Sequence, residues 1–348
     1  YVLSFGSSES AGGALRTDEP VNAIPISLDV KGLVMYPKAE FEAAGYAVPT
    51  TWDQLAALSD RIVADGRTPW CFAFESGSAS GWPGTDLIES LVLRVGGVDA
   101  YDAWSAGEIG FTSPPVMEAG RLADDLVLGP GYVRGGPGAI SGESFEVQLE
   151  YMLAQDTAGE TSPECWLYQQ GKFMLTFNVP PGARVGTDID YFLLPPVRAG
   201  EPTPLIANPS YIAALVDRPE VRAFMEFAAS PEWGEVWATE PDFSDFTSAN
   251  QRFNSTYGEA GGDPMAAART QLAGVARSAL QSGTLRIDAS DAMPAEIGAQ
   301  RDSLEPGAFL QGMLDWVDGT RGLEQVFADI DAEWAALRAN SGSAPPDG

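Results

Sequence analysis

Short apolar runs alternate with helix-period stretches through the first part of the chain. AIPISLDV (23–30) and GLVMY (32–36) are rich in β-branched and aromatic residues and predict strands, either paired as a hairpin or continued as one. Pro37 ends the second run and pre-sets the first turn of a helix over KAEFEAAG, which Gly45 stops. In PTTWDQL, Thr51 and Gln54 have the spacing of a capping box. A second helix is therefore predicted from Trp52 to Ala64, with Leu55, Leu58, Ile62 and Val63 on one face and Gly66 past its end.

Beyond it, PWCFAF (69–74) predicts a strand, ESGSASGWPGT (75–85) a turn, and DLIESLVLRVGG (86–97) a strongly apolar helix. A helix near 114–128 leads into the glycine-rich GPGYVRGGPGAISGE (129–143). GKFMLTFNV (171–179) and DIDYFLLPPV (188–197) predict further strands. From PEVRAF (219–224) onward the pattern is mainly helical, with breaks near 241–264 and 283–308. The last helix carries an apolar stripe of Leu323, Val326, Phe327, Ile330 and Trp334. Residues 1–22 read as loop, and the tail SGSAPPDG (341–348) as disordered. Alternating strands and helices followed by a helix-rich half imply an α/β fold with discontinuous domains.

Charge narrows the possible partners. Forty-nine acidic residues face twenty basic ones, a formal net charge of −29, and only Lys31, Lys38 and Lys172 are lysines. Such a chain is repelled by nucleic acid phosphates and anionic membranes, so neither is expected as a partner; the acidity serves solubility, as in a salty medium. The chain has no histidine, which removes the Ser-His-Asp triad, the Cys-His dyad and every histidine-ligated metal. An enzyme would have to use paired carboxylates, lysine, tyrosine or a cofactor. Cys71 and Cys165 are too far apart for a CxxC redox or zinc motif and read either as buried thiols or as one disulfide. The acidic clusters GTDID (186–190) and DASD (288–291) lack EF-hand spacing and read as solvated loops, so no metal and no cofactor is expected. The chain starts at Tyr1 rather than methionine, which reads as a processed chain or a fragment, and it holds neither a signal peptide nor a run of 18 apolar residues.

The ordered set of segments carries a resemblance. IPISLDVKGLVMYPKAEFEAAGYAVPTTWDQL (24–55) resembles the first crossing between lobes in the sugar-binding proteins of ABC importers, the solute-binding class that includes maltose-binding protein. TPWCFAFESGSASGWPGTDLIESLVLR, GGPGAI, ECWLYQQGKFM, ASDAMPAEIGA and FLQGMLDWVDG continue it over about residues 23–335 and are similar to its α-glucoside-type branch. The resemblance implies a periplasmic-binding-protein-like α/β fold of type II, two lobes joined by a hinge, and binding rather than bond-breaking. It implies a sugar ligand, ABC-transporter permease subunits as partners, a monomer, and an extracytoplasmic location, periplasmic or lipoprotein-anchored. Because relatives carry a longer stretch before this crossing, it also implies that the first part of the N-terminal lobe is missing. Residues 1–26 and 206–285 would be the remainder of that lobe, 27–205 and 286–340 the C-terminal lobe, and 341–348 a tail.

Sugar sites combine aromatic faces with carboxylates and amides that take hydroxyl groups. Asp29, just after the hinge strand, is a candidate ligand contact, with a hinge turn or helix cap as the plainer role; Lys31 beside it reads as a surface or salt-bridge lysine. In the ESGSASGWP turn, Glu75 and Ser76 are candidates for hydroxyl contacts and Trp82 for stacking, against solvated loop and core packing respectively. Asp86 follows Thr85 at a helix start and equally suits a cap. Asn208 and Tyr211, in NPSY at the second crossing, stand where relatives often have a glycine-rich ligand strand. Near the third crossing Leu310 replaces the usual tryptophan, and Phe309 reads as core more readily than as a sugar platform. The two cysteines match positions where this branch has PWC and CW, so a Cys71–Cys165 bridge within the second lobe is expected; closing a loop of roughly 95 residues contributes up to about 4–5 kcal/mol. Two rivals stand beside this reading. One is a secreted carbohydrate-active enzyme, which needs two carboxylates about 5–10 Å apart across a cleft. The other is a solute-binding protein for a non-sugar solute such as a polyol.

Overall fold

One stretch of chain serves two sheets. In the computed structural model, which describes residues 23–201, 203–239, 247–250, 252–253, 264–298 and 305–341, strand β1 (Ala23–Val30) passes through Lys31 and Gly32 into β2 (Leu33–Pro37). Residues 1–22 and 342–348, read above as loop and tail, lie outside the described residues.

The apolar run of β2 is buried at every position because it is the central strand of the second sheet, antiparallel on one side to β3 (Tyr168–Gln170) and on the other to β4 (Ile189–Leu193). In the first sheet β1 lies antiparallel to β5 (Leu205–Ala213), which pairs in parallel with the short β6 (Leu285–Arg286). The two predicted strands are therefore neither a hairpin nor one ladder. The sheet changes at two residues: the Lys31 N–H donates to Ile206 in the first sheet, and the Gly32 carbonyl accepts from Leu194 beyond β4. Gly32 has a φ of +75°, open to glycine without the Cβ clash that other residues meet.

The helices follow in chain order. α1 (Lys38–Ala43) and α2 (Trp52–Ala64) sit where predicted. Thr51 caps α2 by accepting the Gln54 N–H at 3.3 Å, while the Gln54 side chain reaches back to the Thr50 N–H at 2.8 Å. Leu55, Leu58 and Ile62 are buried, and Val63 is half-buried at the edge of that stripe. α3 (Trp82–Ser105) begins earlier than the apolar pattern suggested and is interrupted at Gly97, whose φ is +73°. It packs against α4 (Pro114–Val127) and α10 (Ala308–Val317), on both of which α11 (Leu323–Ser341) packs in turn, in one large core that includes Leu87, Leu91, Val116, Met313, Phe327 and Trp334. Between them in sequence lie α5 (Gln148–Met152), α6 (Pro219–Ala228), α7 (Pro231–Thr239), α8 (Pro264–Ser282) and the single turn α9 (Ala289–Ala292). A second apolar cluster joins the sheets: Leu28, Val30 and Leu205 from the first meet Leu33, Met35 and Ile189 from the second, with Leu272 and Ala276 of α8.

Two expected strands are corrected. PWCFAF forms no ladder; its backbone bonds individually to flanking loops, Trp70 N–H to Tyr132, Cys71 N–H to Leu167 and Phe74 N–H to Ile140. In GKFMLTFNV the strand has already ended at Gln170, because the Gly171 N–H turns to the Gln170 side chain at 2.9 Å, and Lys172–Leu175 coil into a 3-10 turn. The two cysteines are joined as a disulfide, both sulfurs buried in the second cluster. No helix among the described residues is long and apolar enough to cross a membrane.

Candidate functional site

Strand alternation builds one wall of the site. Along β1, Leu28 and Val30 point into the apolar cluster, so Ser27 and Asp29 point the other way. The register places Ser210 opposite Ser27 and Asn208 opposite Asp29, which puts two hydroxyls, a carboxylate and an amide on one face of the β1–β5 pair. This face borders a cavity of about 570 Å³. Its other borders come from the start of α3 (Trp82), from the turn after β3 (Lys172 and Phe173), from the sheet switch (Lys31) and from α7 (Trp237).

Charges are paired around this cavity. Lys172 Nζ lies 3.7 Å from Asp29 Oδ1. A Cβ added at Gly171 would stand 2.5 Å from Asp29 Oδ2, so that glycine leaves the carboxylate its place. Lys31 is buried, with Nζ 2.8 Å from Asp86 Oδ2 and 3.7 Å from Asp288 Oδ2, and 4.7 Å from the centroid of the Trp82 ring. Burial disfavours the Lys31 ammonium, but Asp86, Asp288 and Asp29 outweigh it and hold the group above the ordinary lysine value, charged throughout the physiological range. Burial pushes Asp86 up to about 7, against the pull of Lys31. Behind this pair Glu89 accepts the N–H groups of Ala289 and Ser290, and burial raises its pKa well above the usual carboxylate range. Asn208 donates to Asp291 at 3.0 Å, and burial raises that carboxylate also.

The sequence-derived candidates separate in space. Asp29, Trp82 and Asn208 line the cavity, and Asp86 stands behind it. Asp29 occupies a strand rather than a hinge turn, and Asp86 lies past the first turn of α3, ion-paired rather than capping. Glu75 and Ser76 are used within their own turn: Glu75 Oε1 accepts the Gly77 N–H, and the Ser76 N–H donates to Ser80 Oγ. The small residues of that turn permit close packing on α10; a Cβ on Gly81 would stand 2.3 Å from the Leu310 carbonyl oxygen. Tyr211 is exposed on β5 opposite Pro25, outside the cavity lining. Phe309 is fully buried, its ring 4.9 Å from Phe111 and 5.8 Å from Trp104, and packs the core. Sequence reasoning did not single out Lys172, Phe173 or Trp237 and gave Lys31 a surface or salt-bridge role. The rarity of lysine, three in a chain of net charge −29, was the available signal; the structure brings two of them to one cavity.

Among the described residues no group of three or more histidine, cysteine, aspartate or glutamate side chains is placed to hold a metal. The cavity wall offers aromatic faces and charge-supported hydrogen-bonding groups, the chemistry that holds a polyhydroxylated solute by stacking and by its hydroxyl groups.

Residues 7–235 match the family described as bacterial extracellular solute-binding protein. The chain is 33% identical over 318 residues to the alpha-glucosides-binding periplasmic protein AglE of Rhizobium meliloti (strain 1021), which covers 91% of this chain and 64% of that protein. It is 31% identical over 318 residues to the osmoprotective compounds-binding protein GgtB of Synechocystis sp. (strain ATCC 27184 / PCC 6803 / Kazusa), covering 91% and 69%. The chain thus spans about two thirds of the length of these relatives, both of which are named as binding proteins. Among solved structures, the bacterial solute receptor AcbH superposes with a TM-score of 0.67 at 15% identity, over 91% of this chain and 71% of that one. A chitin oligosaccharide binding protein also gives 0.67, at 18% identity, over 96% and 76%. These likenesses show the fold as the type II periplasmic-binding-protein α/β architecture. The chain belongs to the family of bacterial extracellular solute-binding proteins.

Proposed function

We propose that this chain binds a sugar outside the cytoplasm and presents it to the permease of an ABC importer, with an α-glucoside or a small oligosaccharide as its ligand. The observation that carries the reading is the cavity at the sheet switch, where Trp82 and the polar face of Asp29 and Asn208 meet. The name of the relative AglE supports the ligand class. Asp29, supported by Lys172, takes a hydroxyl group as acceptor, Asn208 shares another, and Trp82 offers a face to the pyranose ring. Residues 1–26 with 206–285 form one lobe in this reading, and 27–205 with 286–340 the other, turning about Lys31 and Gly32. The protein acts as a monomer without catalysing bond cleavage, either free in the periplasm or held to the membrane by a lipid. The relative GgtB favours a second reading, in which the solute is an osmoprotective compound such as a polyol.

Calorimetric titration tests both readings, on the 348-residue chain and on the full product of its gene. Maltose, trehalose and sucrose are compared with a β-linked disaccharide and with mannitol. Saturable binding of an α-glucoside, without release of reducing sugar on long incubation, is the expected result. Binding of mannitol alone favours the second reading. No binding of any of these solutes by the folded full product would overturn the first.

A further inference from the structure

Lys31 ties the sheet switch beside the cavity to α3 and to the segment before α9. Its main chain is the point at which the first sheet ends, with the N–H bonded to Ile206. Its side chain leaves both sheets and reaches α3, where it meets Asp86 and the Trp82 ring together. Asp86 follows Trp82 at the i, i+4 spacing, so the ring and the carboxylate stand on one face of the helix and a single ammonium contacts both. The same ammonium faces Asp288, which precedes α9 and follows β6, the strand beside β5. Asp288 makes no side-chain cap to α9.

We propose that Lys31 is the positioning residue of the ligand cavity: its cation fixes the indole of Trp82 as the aromatic wall and holds that wall in place opposite Asp29 and Asn208. The inference rests on the sugar-binding reading above for its effect on affinity. An ammonium removed from water and set against an aromatic face interacts more strongly than one at an exposed site. Carboxylates on two other elements restrain where the cation can move, and the ring it touches is restrained with it. A lysine that only neutralised Asp86 would leave the ring's orientation to its apolar neighbours, Phe145 at 5.2 Å and Phe173 at 6.0 Å. The two roles therefore differ in what happens to Trp82 when the charge pair is replaced by neutral groups.

The test compares the native protein with the double variant Lys31→Met/Asp86→Asn and with Lys31→Arg. Each is measured beside its own Trp82→Phe counterpart, so that subtraction isolates the near-ultraviolet circular dichroism and fluorescence of Trp82. The expected result is a folded double variant that loses the ordered Trp82 signal and binds the sugar at least tenfold more weakly. Lys31→Arg, which keeps a cation against the ring, is expected to retain the signal and to bind within about threefold of native. A folded double variant with an unchanged Trp82 signal would overturn the proposal. If the double variant does not fold, loss of the signal in a folded Lys31→Arg protein would overturn it instead. Should the native protein bind none of the sugars, the function reading fails, while the ligand-free Trp82 signal still decides the role of Lys31.

Discussion

Glu89 in α3 receives the backbone N–H groups of Ala289 and Ser290 at 2.8 and 3.1 Å, across 200 residues of sequence. Tyr101, three turns further along the same helix, donates to the Ile287 carbonyl at 2.8 Å. Together they fix the single turn α9, and with it Asp288 and Asp291, against the helix that carries Trp82. Glu89→Ala leaves both N–H groups buried without their acceptor. A loss of about 2–4 kcal/mol is expected, read by urea denaturation, with Glu89→Gln intermediate, because its one amide oxygen accepts one of the two N–H groups while its NH2 faces the other.

Gly171 carries a steric prediction. Its φ of −76° is ordinary, so alanine brings no backbone strain, but the added methyl would meet Asp29 Oδ2 at 2.5 Å and Phe173 at 2.8 Å. Gly171→Ala should cost about 1–3 kcal/mol of stability by overpacking. It should also displace the Asp29 carboxylate and weaken ligand binding about tenfold in calorimetry. Native affinity in this variant would show that Asp29 does not contact the ligand.

The Cys71–Cys165 bridge closes a loop of 94 residues in sequence separation. Paired Cys71→Ser and Cys165→Ser substitutions, or reduction of the native protein, should lower stability by about 2–5 kcal/mol, chiefly by freeing the unfolded chain. Both cysteines lie outside the cavity lining, so affinity measured well below the melting temperature should stay near native.

Acidification from neutral pH should stabilise the protein. Burial raises Asp86 to about 7 and pushes Glu89 and Asp291 above their ordinary values. The folded state therefore holds more protons than the unfolded chain between about pH 4, where unfolded carboxylates titrate, and about pH 7. Stability falls as pH rises through that window and recovers as pH is lowered through it. Release of self-repulsion in a chain of net charge −29 acts in the same direction. The melting temperature at pH 5 should exceed that at pH 8, and Asp86→Asn should reduce the difference; a rise in melting temperature with pH would contradict the argument.

How much of this was legible beforehand depends on the range of the interaction that decides each feature. The bounds of α2 follow from a cap and an apolar stripe whose partners lie within four residues of one another, and the stripe of α11 is buried at every predicted position. Asp29 was singled out beside a strand-like run and Asn208 through the family resemblance alone; the strand Leu205–Ala213 that carries Asn208 was not foreseen. PWCFAF and GKFMLTFNV have good strand composition, but one is bonded singly to distant loops and the other is turned aside at Gly171. Composition does not report either event, since both depend on what backbone lies alongside.

The sequence by itself determined the α/β class, the resemblance to the solute-binding family, and those helices whose signals are local. It also removed histidine chemistry from these 348 residues. Only the tertiary structure decided that Trp82 meets the cavity while Phe309 packs the core, and that the small residues after Glu75 serve α10. The same holds for Lys31, which meets an aspartate 55 residues away and another on the far side of the first sheet. Local propensity and capping act over a few residues and are written in neighbouring letters. Burial and ion pairing act between surfaces brought together by the whole fold, and the same letter serves solvent, core or ligand according to where that fold places it.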